Sequence, residues 1–153
     1  MSARRRLVLE TRYAARKPWV PRPAAFERWV RAALPPQPQP TSLSIVVVGS
    51  ARSRALNAHY RGKDRATNVL SFAGAGVTPD GRRDLGELVI CAPVVAREAL
   101  AGRRSRAAHW AHLTVHGVLH LLGHDHERDA DAARMMAIET QVIEKIGFSD
   151  PYA

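Results

Sequence analysis

The chain is short of cysteine, of long apolar runs and, over its first two-thirds, of acidic residues, and each shortage narrows what it can be. A single cysteine, Cys91, excludes a disulfide framework and fits a reducing compartment. It sits in Leu88-Val89-Ile90-Cys91 and reads as a small buried apolar side chain rather than a ligand. No apolar stretch nears the ~20 residues needed to cross a bilayer, so no membrane partner is expected. The Arg4-Arg5-Arg6 start runs only into Leu7-Val8-Leu9-Glu10, too short for the apolar core of a secretion signal. A cytoplasmic location is the simplest expectation. No internal repeat is visible, which excludes solenoids and arrays.

The shortage of acids is uneven. Residues 1–40 carry nine Lys/Arg against two Asp/Glu, residues 41–108 eleven against five, and residues 109–153 three against seven. A basic front fits a polyanionic partner, for which nucleic acid is the usual candidate. Twenty of the 23 basic residues are arginine and alanine is abundant, so a coding bias could produce the same surplus. With 153 residues, 46% hydrophobic and 24% charged, the chain is expected to form one globular domain over 1–153.

Periodicity places the elements. Leu7–Glu10 reads as a short strand, and Pro23–Leu34 as a helix with Ala25, Phe26, Trp29, Val30 and Ala33 on one face. Pro35–Pro40 is an extended connector. Leu43–Val48 is a β-branched strand, and Ser50 is placed to cap a helix over Ala51–Tyr60 that Gly62 stops. Thr67–Phe72 and Leu85–Cys91 read as strands joined by a long turn containing Pro79-Asp80-Gly81. A helix follows from Pro93 to about Leu100, then a largely apolar one from Arg106 to Leu122. The last, capped by Asp129 or Asp131, has Ala132, Met135, Met136, Val142, Ile143 and Ile146 inward. The expected fold is α+β: one small mixed sheet of about four strands with about five helices, a central buried helix among them.

That central helix carries the chemistry. His116 and His120 stand four apart, hence on one helical face. Gly123 can end the helix in a left-handed conformation, and His126 returns from the turn, giving H-x3-H-x2-G-x2-H. Three neutral imidazoles so placed form a tripod for a divalent metal and leave a coordination position open, as catalytic sites do. Metzincin proteases share the spacing, but there a glutamate base follows the first histidine. Here the position is Gly117, so peptide hydrolysis by that route lacks its base. His112, one turn before His116, is the best spare acid or base or a polar residue at the cleft rim; His109 and His59 have weaker claims. His124 is expected to face away from the metal. Asp125 or Glu127 could orient an imidazole, or both are solvated surface acids.

A second polar cluster precedes the third strand: Leu56-Asn57, Tyr60-Arg61-Gly62-Lys63-Asp64 and Thr67-Asn68-Val69-Leu70-Ser71-Phe72. Arg61 and Lys63 suit phosphate, one as a planar fork and one as a point charge. Asn57, Asp64 and Thr67 are expected to satisfy turn backbone.

These blocks, with Leu85-Gly86-Glu87-Leu88-Val89-Ile90-Cys91 and Ala108-His109-Trp110-Ala111-His112-Leu113, resemble the YbeY family of metal-dependent endoribonucleases. The resemblance runs from about Ser42 to Tyr152. Ala73, Glu87 and His124 depart from the commonest pattern, where proline, aspartate and tyrosine are usual. The resemblance implies one zinc, or another divalent transition metal, held by His116, His120 and His126, with Arg61 as the functional arginine. It implies cleavage of single-stranded RNA, maturation of the small-subunit rRNA 3′ end and removal of defective ribosomes. Partners are then rRNA and the ribosome or its proteins, with no DNA expected. Arg61 and His116 are the expected catalytic residues, with Lys63 and His112 as substrate-binding or acid/base candidates. Two other readings remain: an rRNA- or ribosomal-protein-binding assembly factor whose metal is structural, and a metallohydrolase or peptidase of another substrate.

Overall fold

The second strand shows how the sheet is built: its side chains alternate strictly, Leu43, Ile45 and Val47 toward one face, Ser42, Ser44 and Val46 toward the other. The protein is described by a computed structural model covering residues 6–36 and 39–152. Arg4 and Arg5 of the basic start, and Gln37 and Pro38 of the connector, lie outside the described residues. The elements follow in the order β1 (Leu7–Tyr13), α1 (Pro23–Ala33), β2 (Thr41–Val48), α2 (Ser50–Arg61), β3 (Val69–Val77) and β4 (Arg83–Cys91). Helices α3 (Ala92–Ala101), α4 (Arg106–Leu121) and α5 (Asp129–Lys145) complete the chain. The four strands form one mixed sheet in the order β1-β2-β4-β3. β1 and β4 run parallel to β2, and β3 runs antiparallel to β4 at the edge. This is the α+β arrangement expected.

One face of the sheet carries the main core. Leu43, Ile45, Val47, Leu88 and Ile90 pack there with Phe26, Trp29 and Val30 of α1 and with Trp110, Val115, Val118 and Leu119 of α4. Met135 and Ile143 of α5 close it. Phe26 meets Trp29 and Trp110 edge to face, with centroids 5.8 and 5.9 Å away. The opposite face holds a smaller cluster of Val48, Leu70, Val89, Cys91 and Val94, over which Leu56 of α2 packs. Covered on both faces there, β4 ends in the continuous buried run Leu88–Cys91 rather than an alternating one.

The boundaries differ from expectation where caps and strands extend. Gly49, not Ser50, precedes α2, and Arg128 precedes α5; neither cap makes a side-chain bond. Asp129 and Asp131 instead lie in the first turn of α5, where carboxylates favour the positive end of the helix dipole. β3 begins after Asn68 and runs to Val77, and β4 starts at Arg83, so the hairpin turn is shorter than expected. Met136 is exposed; the inner face of α5 runs Met135, Glu139 and Ile143. A buried glutamate on an otherwise apolar stripe needs partners, and it finds them on α4.

Candidate metal centre

α4 begins at Ser105, whose hydroxyl accepts from the Ala108 amide, and its apolar faces are buried against the sheet, α1 and α5. His112, His116 and His120 recur every fourth residue along one stripe of this helix. The helix ends at Leu121 and the chain reverses through Gly123 at φ 99°, where a side chain would be strained. The Gly123 and His124 amides donate to the carbonyls of His120 and Leu119, tying the turn to the helix end. That reversal returns His126 to within 5.0 Å of the His120 ring and 5.8 Å of the His116 ring, centroid to centroid.

One nitrogen of each of His116, His120 and His126 lies within 4.8 Å of the others. The Nε2 atoms of His116 and His120 are 3.0 Å apart. Two nitrogens bound tetrahedrally to zinc would be about 3.3 Å apart, given Zn–N bonds of 2.0–2.1 Å. The His116–His120 pair is close to that spacing, and the three-imidazole donor set suits a divalent transition metal. Burial, and then the neighbouring His116 and His126, press the His120 pKa down, favouring the neutral form a ligand needs.

Behind the tripod lies a second layer that sequence reasoning missed. The Glu139 side chain, fully buried, bonds the His116 Nδ1 through Oε1. Its Oε2 lies 2.8 Å from the His112 Nε2 and accepts from the Tyr152 hydroxyl. Burial alone would raise its pKa, but the bonds from His112, His116 and Tyr152 outweigh that and bring it to about 2. His112, His116 and Glu139 also lie close enough to form a ligand group. Three donors already converge on the carboxylate, so this group is a hydrogen-bonded support for His116 rather than a second cation site. The orienting acid is thus Glu139, contributed by α5. Asp125 and Glu127 are exposed, and Asp125 merely accepts from the Glu127 amide. Only the misfit of a glutamate on the inward face of α5 could have signalled it.

His112 does not stand free at a cleft rim. Its Nδ1 lies 3.3 Å from an Arg104 nitrogen and its Nε2 faces Glu139, so neither nitrogen is left to carry a substrate proton. These bonds give His112 a supporting place beside Glu139. His109 is buried, bonded to Arg104 and to Glu98, which also accepts from Asn68. His59 is exposed and edge-on to Tyr60. His124 is not among the three grouped donors.

Gly117 is a close-approach position. A Cβ there would lie 2.7 Å from a Leu88 methyl, inside the core between α4 and β4. A glutamate at 117 would thus enter the packed sheet face instead of standing beside the metal position, as the sequence comparison had suggested.

Arg61 ends α2, and Lys63 follows Gly62 in the loop. Both side chains are exposed and, among the described residues, neither has an ion-pair partner. The loop itself is built by its neighbours. Asn57 donates to the Arg65 carbonyl, Ser53 exchanges bonds with the Thr67 backbone, and Asp64 is held by Arg54 at 2.7 Å. Asn57 thus serves turn backbone as expected, whereas Asp64 serves an ion pair. Glu87 pairs with Arg12 across the sheet at 3.2 Å, away from the histidines' helix.

The sequence model described as Endoribonuclease YbeY matches residues 20–147. A protein of Laribacter hongkongensis named Endoribonuclease YbeY is 48% identical over 99% of this chain and 92% of its own length. One of the same name from Nitrosococcus oceani is 46% identical over 95% and 97%. The solution structure of TM1509 from Thermotoga maritima superposes with a TM-score of 0.57, at 21% identity, over 91% of this chain and 89% of that one. That likeness is one of fold.

Proposed function

Because the chain belongs to the YbeY family of endoribonucleases, we propose that it is a metal-dependent endoribonuclease of single-stranded RNA. The observation that carries the reading is the convergence of His116, His120 and His126 with one ring nitrogen of each within 4.8 Å of the others. Zinc is the metal proposed, one per chain, because three imidazoles and an open position suit it. The work is proposed to be maturation of the small-subunit rRNA 3′ end and ribosome quality control, with rRNA and ribosomal proteins as partners, in the cytoplasm. Residues 1–153 would act as one domain. Among the described residues, no helix is long and apolar enough to cross a membrane.

Cleavage of an RNA phosphodiester passes through a phosphorane-like state with added negative charge. A divalent cation held by His116, His120 and His126 would supply Lewis-acid stabilisation of that charge. Arg61, a permanent cation with planar donors, would hold the non-bridging oxygens, and Lys63 would draw the flanking backbone. Glu139 would keep His116 turned toward the metal position.

Elemental analysis of protein purified without added metal, paired with a cleavage assay on unstructured RNA with and without chelator, tests this. About one zinc per chain and chelator-sensitive cleavage are expected. Metal without cleavage would favour the assembly factor. Chelator-sensitive proteolysis of an unstructured protein would favour the peptidase.

A further inference from the structure

Among the described residues the most deeply buried acid, Glu139, is held by three donors, and its surroundings fix the proton of His116. Arg104 can only donate hydrogen bonds. Its NH1 lies 3.3 Å from the His112 Nδ1 and 3.1 Å from the His109 Nδ1, so both nitrogens must present lone pairs. The proton of each ring then sits on Nε2. From there His109 donates to Glu98 at 2.9 Å and His112 donates to Glu139 Oε2 at 2.8 Å. The Tyr152 hydroxyl donates to the same oxygen. With Oε2 occupied twice, Oε1 is left to accept from the His116 Nδ1. A proton on Nδ1 leaves the His116 Nε2 as a lone pair, the atom that faces His120 across 3.0 Å.

We propose that Glu139, Tyr152 and Arg104 are positioning residues that lock His116 in its Nδ1–H tautomer and aim its Nε2 at the metal position. The inference rests on the metal reading above. It makes the C-terminal turn part of the site: Asp150 accepts from Thr140 at 3.1 Å and from the Tyr152 amide at 2.8 Å, which holds Tyr152 against α5. It also gives the α3–α4 connection a task, since Arg104 lies there. Tyr152 is held protonated, first by burial and then by its bond to Glu139, as a permanent donor must be.

The test has two arms. Long-range proton–nitrogen spectra of metal-free protein in mildly alkaline buffer read the tautomers directly. His116 should carry its proton on Nδ1 and His112 on Nε2, and Arg104→Met should let the other form of His112 appear. Zinc affinity, measured by competition with a chromophoric chelator, should weaken about 10–100-fold in Glu139→Gln and a few-fold in Tyr152→Phe. The exposed control Glu144→Gln should leave it unchanged. Wild-type zinc affinity in folded Tyr152→Phe and Glu139→Gln, or an Nε2–H proton on His116, would overturn the proposal. Should Glu139→Gln fail to fold, Tyr152→Phe and the spectra still decide. Failure of the wild type to take up zinc would instead overturn the metal reading.

Discussion

The histidine site on α4 and the Arg61 loop after α2 are held in opposite ways. Every ring nitrogen behind the metal position is engaged, with Glu139 at 0% exposure linking His112, His116 and Tyr152. Arg61 and Lys63 are exposed at a helix end, while the bonds of their loop fall to Ser53, Arg54 and Asn57. On the proposed function, the difference follows from what each would bind. A small cation tolerates little error in ligand geometry, so its donors need an outer layer of hydrogen bonds. A phosphate backbone approaches from solvent, so its cations must stay accessible, and long-range attraction forgives their mobility.

Substitutions can break this contrast, and the largest effect belongs to the rigid side. His120→Ala leaves two imidazoles, and metal content should fall from about one per chain to near zero together with cleavage. Full occupancy in that variant, by elemental analysis, would remove His120 from the ligand set. Next comes Gly117→Glu, which forces a carboxylate against Leu88 in the core. It should cost about 3 kcal/mol or more from overpacking and an unpaired buried charge, read as a lower denaturant midpoint. Near-native stability would mean that residue 117 faces the cleft.

On the open side the effects should be smaller and leave folding alone. Arg61→Lys keeps the charge but loses the fork, so cleavage should drop about tenfold, or ~1.4 kcal/mol in the barrier, while the melting temperature hardly moves. A matching loss of stability would make Arg61 structural. Lys63→Ala should weaken RNA binding a few-fold and reduce the slope of log affinity against log salt by about 0.7, the share of one phosphate contact. An unchanged slope would show that Lys63 does not meet the backbone.

The same contrast governs what the sequence reveals. The elements and their order were legible because α1, β2 and α4 have unmixed periodicity, and the tripod because two of its histidines and its turn glycine are local in sequence. The exposed pair Arg61 and Lys63 was legible as candidates because polar density before a strand is a local signal. Glu139 and Tyr152 were not. They lie 23 and 36 residues beyond His116, and only the packing of α5 and the C-terminal turn against α4 brings them together. The nearby acids Asp125 and Glu127 were candidates by sequence proximity, with solvated surface acids as the alternative, and both are exposed. Gly117 misled for a related reason: its neighbour in sequence is a candidate ligand, but its neighbour in space is Leu88.

The claim most exposed to disproof is that the three-histidine site holds the metal on which RNA cleavage depends. Metal-stripped protein titrated with zinc, with cleavage of an unstructured RNA followed at each step, addresses it directly. Activity should rise linearly and stop at about one equivalent, and His126→Ala, which removes the ligand from the exposed turn, should stay near the metal-free baseline. Full cleavage by the stripped protein, or undiminished cleavage by His126→Ala, would contradict the account.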